Sequence, residues 1–393
     1  ATRMQHLKIK VVTGKKGLSL IQDDWHQISR AFSNKRFFHL YEWYQSYLEH
    51  LEKTDTSLVF FLVCRQAIPL AIFPLKKTNR KMLGFNFRTL ETPSHDYLDL
   101  SDFICADPED ISGLFQYLLV YLCREYNQAW DFIVIPRALD DSKIIQGLKG
   151  NKHIPLTIIE TAGTSNFIQC RHAEAVQKRI PKKFKANLKR WNNKIKGKNV
   201  RFESSSTLPD ILESYKIFLE IEASGWKGKQ RTAIKYSPDI NAYYKSLILN
   251  FARLESCEIN LLEVNERYIA GQLCINIGDI CYLLKIGYDE NYSYLAPGNL
   301  LLENLIMRLA KSKQINYMSF VTGTAWQKRW NPDHIQVNRL YCCRKSLSGL
   351  IAFSLIKIKH LAKNVYMRID AIGRYQDLRD KLIQKQEKQH KTA

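Results

Sequence analysis

The residues best placed to do chemistry lie in one turn, Ala296-Pro297-Gly298-Asn299, between a strand-like apolar run and a helical one. A helix that starts just after a strand exposes unpaired amide N–H groups and the positive end of its dipole, which suits a phosphate or pyrophosphate. Gly298 lets the backbone come close to a ligand. A proline opening an ordinary packing helix has the same local form, so the turn alone leaves both readings open. No Walker A and no dinucleotide glycine signature occurs, which argues against nucleotide hydrolysis and a Rossmann cofactor. Cys274 and Cys281 fall on adjacent strands without a histidine at a nearby strand position, so a cysteine nucleophile is disfavoured.

The elements that must position this turn are legible from periodicity. Residues 38–51 and 110–126 have apolar groups at helical spacing, and Ser57–Cys64, Pro69–Leu75 and Trp130–Ile135 read as buried strands. Pro136 is expected to end the last of these. Ile180, Phe184, Leu188, Trp191 and Ile195 recur every three or four residues along a segment otherwise filled with lysine, which predicts an amphipathic basic helix beginning near Pro181. Helices follow over Pro209–Ala223 and Pro238–Leu254. A hairpin then turns at Asn265-Glu266-Arg267, and the strand Ile280–Ile286 leads into the turn and the helix 299–311. Ile315–Phe320 is the next strand. This strand, turn, helix, strand order predicts a parallel pairing of Ile280–Ile286 with it.

The 393 residues, 45% of them hydrophobic, suffice for two domains and exclude a disordered or fibrous chain. The net charge of +21 is concentrated: residues 178–201 have eleven Lys/Arg and no acid, and residues 354–393 have ten against four. Two basic elements on a near-neutral body fit local contact with an anionic surface better than a nucleic-acid coat. No apolar run is long enough to span a bilayer, and Ala1–Lys16 has no signal core. The nine cysteines form no C-x-x-C pair, so reduced thiols in a cytoplasmic protein are expected.

The stretch from Tyr288 to Leu301 has the form YDxxYxxxxPGxLL, and Glu222-Ala-Ser-Gly-Trp-Lys-Gly lies upstream. With Lys182–Glu203, Trp43, Ile68–Leu75 and His95-Asp96-Tyr97, these blocks resemble the CelD-like acetyltransferases of the GNAT superfamily, associated with exopolysaccharide and cellulose biosynthesis. The resemblance spans about 25–335. It implies an α/β fold with mixed sheets, built as two tandem GNAT-like domains in the FemAB arrangement, at 20–165 and 166–345, with a basic helical tail at 346–393. Gly323, Lys328 and Trp330 match the block that follows the family's turn helix, whereas Ser319 and Thr324 stand where the family has acids.

The resemblance implies an N-acyltransferase that takes an acyl group from acyl-CoA, without a metal. Leu284, Lys285, Ile286, Pro297, Gly298, Asn299, Leu300 and Leu301 would hold the donor. Acyl transfer to an amine must take a proton from the amine, stabilise the carbonyl oxygen and let the thiolate leave. Asp289, Glu222, His95 and Glu290 are candidate bases, and Trp226, Lys227, Tyr288, Tyr292, Asp96 and Tyr97 are expected to line the acceptor. An amino sugar or an amino lipid fits as acceptor, and residues 182–198 and 354–393 would meet an anionic membrane surface on its cytoplasmic side. Aminoacyl transfer from charged tRNA and a fold-only scaffold are the alternatives.

Overall fold

The computed structural model describes residues 6–94, 100–126, 129–150, 156–225, 228, 230–363 and 365–366. Thirteen strands form one mixed sheet: β1 Leu7–Thr13, β2 Leu58–Arg65, β3 Ile68–Met82, β4 Phe85–Glu91, β5 Ile104–Cys105, β6 Phe132–Leu139, β7 Thr157–Gln169, β8 Val200–Ser205, β9 Cys257–Val264, β10 Arg267–Ile277, β11 Ile280–Tyr288, β12 Tyr317–Ser319 and β13 Asp333–Cys343. The order is β1-β2-β3-β4-β6-β13-β7-β12-β11-β10-β9-β8, with β5 beside β3. Strands β1 to β6 form one side of this order and β8 to β12 the other. They join where β13 returns to pair antiparallel with both β6 and β7. The edge strand β1 begins at Leu7, before the expected start of the first unit at 20.

Most of β2 and all of β9 are buried, as expected of strands covered on both faces. Their cover is a set of helices whose spacing the sequence shows: Tyr41–His50, Ile111–Glu125, Asp210–Ser224, Pro238–Arg253 and Pro297–Ser312. The basic segment is a helix over Lys182–Ile195 with Phe184, Leu188 and Ile195 buried on one face. The β9–β10 hairpin turns through Asn265 and Glu266, both at positive φ, the geometry that matches strand twist in a two-residue loop.

Pro136 does not end its strand. β6 runs on to Leu139, and the β13 register slips there: Ile135 faces Leu340 and Ala138 faces Asn338. Two residues, Pro136 and Arg137, therefore oppose Arg339, and the bulge absorbs the missing proline donor. The tail forms a helix over 347–363. Its Ala352 and Ile356 pack on Phe87, Phe132, Ile158 and Tyr341 of the central strands.

Candidate functional site

The sheet opens at one place. β11 and β12 pair in parallel for three residues only, Ile280 with Tyr317, Cys281 with Met318 and Tyr282 with Ser319. Beyond Tyr282 the strands diverge, and a wedge-shaped cavity of about 170 Å³ lies between Leu283, Leu284, Lys285 and Ile286 on one wall and Phe320, Thr322, Thr324, Trp326 and Gln327 on the other. A strand edge without a neighbour presents backbone donors and acceptors to any extended amide chain that enters.

A larger cleft of about 620 Å³ continues from the wedge at the end of β11, and Ile286 and Trp326 line both. Its floor is the turn. Ala296 is left-handed at φ 52° and Pro297 opens the helix Pro297–Ser312, so the first amides point outward. Asn299 and Leu300 donate to Ala296 O, while the Gly298 amide has no acceptor among the described residues. A Cβ on Gly298 would touch only Tyr288 Cδ1, at 3.6 Å. Arg329 stands on the same cleft, and so does Trp191 of the basic helix. That helix is held beside the turn: Lys194 donates to Tyr294 O at 3.0 Å and Asn192 to Glu303 at 2.8 Å. An open amide, a helix dipole and the Arg329 guanidinium are the features that suit an anion.

Glu222, Glu290 and Gln272 form the polar side of the cleft. Glu222 is buried near the end of its helix, and its Oε2 accepts the Ile234 N–H at 2.8 Å. Gln272 is also buried, and its Oε1 accepts no hydrogen bond among the described residues. Such an acceptor, sealed at the wall of a cleft, suits a donor brought by a ligand.

Of the residues expected to act, the structure brings Glu222, Ile286, Tyr288, Pro297, Gly298 and Asn299 to the cleft, and Leu284 and Lys285 to the wedge. His95, Asp96, Tyr97, Trp226 and Lys227 lie outside the described residues. Asp289 points elsewhere: it caps the turn by accepting from Asn291 N at 3.0 Å and Asn291 Nδ2 at 2.9 Å, and it pairs with Arg267 at 3.3 Å. A buried carboxylate needs such partners, and a loop aspartate finds them in its own backbone. Leu300 and Leu301 turn into an apolar core with Leu262, Val264 and Ile269. They occupy the helix face opposite the ligand side. Tyr292 stacks on Tyr294 and lies under Arg267, away from the cleft lining.

Sequence reasoning missed Trp191, Gln272, Trp326 and Arg329. Trp191 counted only as one apolar member of a stripe, and Gln272 sat inside a strand pattern. One signal was present: Gly271 and Gly287, directly paired across β10 and β11, interrupt two buried strands, and strand glycines mark close approach. At the expected acid positions, Ser319 Oγ accepts from Val321 N, and Thr324 N donates to Gln327 Oε1. Both shape the loop that walls the wedge.

Among the described residues, Glu258, Cys274 and Cys281 are close enough together to share a metal ion. Arg308 already occupies the Glu258 carboxylate through bonds of 2.7 and 3.2 Å. The neighbouring Cys274 thiol and burial together hold the Cys281 thiol well above the usual range. Neither observation favours a cation or a thiolate there.

Residues 182–330 match the family described as Acetyltransferase (GNAT) domain. No curated protein matches the chain in sequence. Among solved structures, FemX is 11% identical with a TM-score of 0.55, over 85% of this chain and 98% of that one. A conserved protein of unknown function from Bacteroides thetaiotaomicron is 12% identical with a TM-score of 0.53, over 85% and 100%. L-PGS from Bacillus licheniformis is 10% identical with a TM-score of 0.51, over 85% and 95%. The chain thus shares its mixed α/β fold with FemX over most of its length, and residues 182–330 carry an acyltransferase block of the GNAT type.

Proposed function

We propose that the protein transfers an acyl group from a CoA thioester to an amine, directly within a ternary complex. The observation that supports this most is the continuity of wedge and turn. The open β11 edge can pair with the two amides of the pantetheine arm, while the Gly298 amide and Arg329 meet the pyrophosphate. The thioester would then sit beside Ile286–Tyr288, against Glu222, Gln272 and Glu290.

The chemistry asks little else of the chain. An amine that binds as an ammonium gives one proton to Glu222 and attacks the thioester carbon. The C–N bond forms, the C–S bond breaks, the amide nitrogen releases its second proton, and the thiolate leaves toward the open mouth and takes up one proton in its place, while Glu222 returns its own to solvent. Gln272 Oε1 accepts a second N–H of the amine and holds its lone pair on line. No covalent acyl-enzyme is needed, since Cys274 and Cys281 are sealed in the core.

Division into units at 20–165 and 166–345, with a tail at 346–393, belongs to the same reading, although one sheet runs through both units. An amino-sugar acceptor follows from the resemblance to CelD-like enzymes, and an amino lipid is compatible. Location at the cytoplasmic face of a membrane is supported by the tail helix. Leu347, Leu350, Ile358, Leu361 and Val365 share its outward face and are all exposed, with Lys357 flanking them. No helix among the described residues is long and apolar enough to cross a membrane.

A second reading, aminoacyl transfer from charged tRNA, is favoured by the likeness in fold to FemX. Melting in the presence of CoA, acetyl-CoA and palmitoyl-CoA at low and high salt separates the two readings. A rise in Tm with one thioester that persists at high salt supports the acyl-CoA reading. No rise with any of them, together with salt-sensitive retention on tRNA, overturns it.

A further inference from the structure

A second cavity, of about 430 Å³, lies at the other end of β11 and shares no lining residue with the cleft. From Ile280 to Tyr288 the strand covers roughly 25 Å, so the two sites are far apart. The cavity is bounded by Phe32–Arg36, His39, Asp102 and Asp141–Ile144 of the first half of the chain, and by the Gly278–Asp279 turn of the second.

Its walls contain buried polar atoms with nothing to bond. His39 Nε2 and Ser142 Oγ are both buried without a hydrogen-bond partner among the described residues. Tyr282 Oη, on the strand that leaves the cavity, is a third. His39 is held rigidly. Its Nδ1 accepts the Arg36 N–H at 2.9 Å, which assigns the proton of the neutral ring to Nε2, and Phe32 and Phe38 flank the ring at 4.9 and 4.6 Å. Nε2 faces Asp102 Oδ2 across 3.8 Å, too far for a hydrogen bond and near enough for one ligand group to meet both. Buried polar atoms are almost always satisfied in folded proteins, so several unsatisfied ones around a single cavity point to a ligand.

Apart from Lys35 and Asp102, which balance each other in sign, the charges in the wall already have ion-pair or hydrogen-bond partners. Arg36 pairs with Asp141 at 2.6 Å, Lys143 with Glu109 at 2.8 Å, and Asp279 accepts from Asn316 at 2.7 Å. Besides the half-buried Lys35 ammonium, what remains for a ligand is an imidazole N–H donor, a hydroxyl that can donate or accept, and a carboxylate acceptor. Hydroxyl groups on neighbouring carbons answer all three, each giving one donor and accepting in return. A simple anion would face Asp102, and a simple cation would leave the His39 donor unsatisfied.

We propose that this cavity is a second small-molecule site, taking a neutral polyhydroxylated ligand of the sugar or cyclitol class. It goes beyond the acyl-transfer reading, because neither the wedge nor the cleft contributes to it.

Saturation-transfer NMR with D-glucose, N-acetyl-D-glucosamine and myo-inositol as probes tests the site. One of them should bind saturably to the full chain, and Ser142→Ala and Asp102→Asn should each weaken it at least tenfold. Ser142→Ala should melt at the same temperature or higher, since the hydroxyl it removes is unpaired. CoA titrated into the same samples should bind both variants as it binds the parent, so failure here is distinguishable from failure of the acyl-CoA reading. No saturable binding of any probe, equal binding by the parent and both variants, or displacement of the probe by inorganic phosphate would each overturn the proposal.

Discussion

A Cβ on Gly287 would stand 2.9 Å from Glu222 Cα. The helix Asp210–Ser224 therefore rides directly on the bare backbone of β11. Gly271, the cross-strand partner of Gly287, does the same for Phe218, whose Cδ2 would lie 2.7 Å from a new Cβ. Phe218 and Glu222 are one helical turn apart, so the glycine pair sets the height of one helix face above the sheet. The carboxylate proposed as base takes its position from two residues without side chains.

Replacing Gly287 by alanine should lift the helix end and move Glu222. Overpacking of this kind costs about 1–3 kcal/mol. Urea unfolding should show that loss, and kcat should fall by more than CoA affinity does. A variant with the stability loss but unchanged kcat would detach Glu222 from the reaction.

Glu222→Gln keeps the size and the acceptor for Ile234 N–H but cannot take a proton. Its kcat should drop about 100-fold or more, in the range of general-base contributions, with CoA binding unchanged. Asp289→Asn, by contrast, should leave turnover close to the parent, because asparagine also caps turns of this kind. Asp289→Ala should lose roughly 1 kcal/mol of stability with the cap. Steady-state kinetics and melting of the three variants separate the two carboxylates. A rate loss for Asp289→Asn as large as for Glu222→Gln would restore Asp289 as a candidate base.

The difference between these two acids shows what the sequence could convey. Periodicity located β2, the start of β3, β6, β9 to β12 and the longer helices but left β1, β4, β5, β7 and β13 unread, and the P-G turn marked one wall of the cleft, because local backbone chemistry decides both. Side-chain direction was harder to read. Asp289 and Gly298 sit nine residues apart in one motif, yet the aspartate folds back onto Asn291 and Arg267. Leu300 and Leu301 follow the turn but face the core, since a helix shows only one side to the ligand. Gln272 had only the neighbouring Gly271 to give it away, for its place in the cleft depends on a register set by β9 and β11 together.

Gly298→Val tests the phosphate turn. The new side chain has room in the protein and would meet only the Tyr288 ring, so folding should be intact. A gain of up to about 1 kcal/mol over glycine would follow from backbone entropy, less what the β-branch costs in a helix. CoA affinity should fall at least tenfold by calorimetry, because the methyls would fill the space above the free amide. Unchanged affinity would move the pyrophosphate elsewhere.

His39 gives a dependence on pH. Burial holds its pKa below the ordinary value near 6.5, with Asp102 and Asp141 opposing and Arg36 assisting. The unfolded chain therefore takes up a proton near pH 6.5 that the folded chain refuses. This contribution is complete above pH 6.5 and shrinks as pH falls below it, by at most about 1.4 kcal/mol per unit. His39→Asn retains an acceptor for the Arg36 amide and does not titrate. Urea midpoints at pH 7 and 5.5 should differ less in the variant than in the parent, and identical pH slopes would contradict a neutral, buried His39.

The outward face of the tail helix makes the last prediction. Leu361 is 61% exposed and Leu350 49% exposed, on the side away from Ala352 and Ile356. Replacing either with glutamate should change stability by less than about 0.5 kcal/mol. Burying a leucine in the acyl boundary stabilises binding by about 1.5–3 kcal/mol, and an added acid repels anionic headgroups besides. Each variant should therefore lose more than tenfold in partition to phosphatidylglycerol vesicles in a sedimentation assay. Raised salt should weaken the parent only partly, since it screens Lys357 and its neighbours but leaves the leucines unaffected. Binding that vanishes with salt and ignores both substitutions would reduce the tail to a charged tether. A concentration-dependent dimer that either substitution breaks, without vesicle binding, would make the face a contact between copies of the chain.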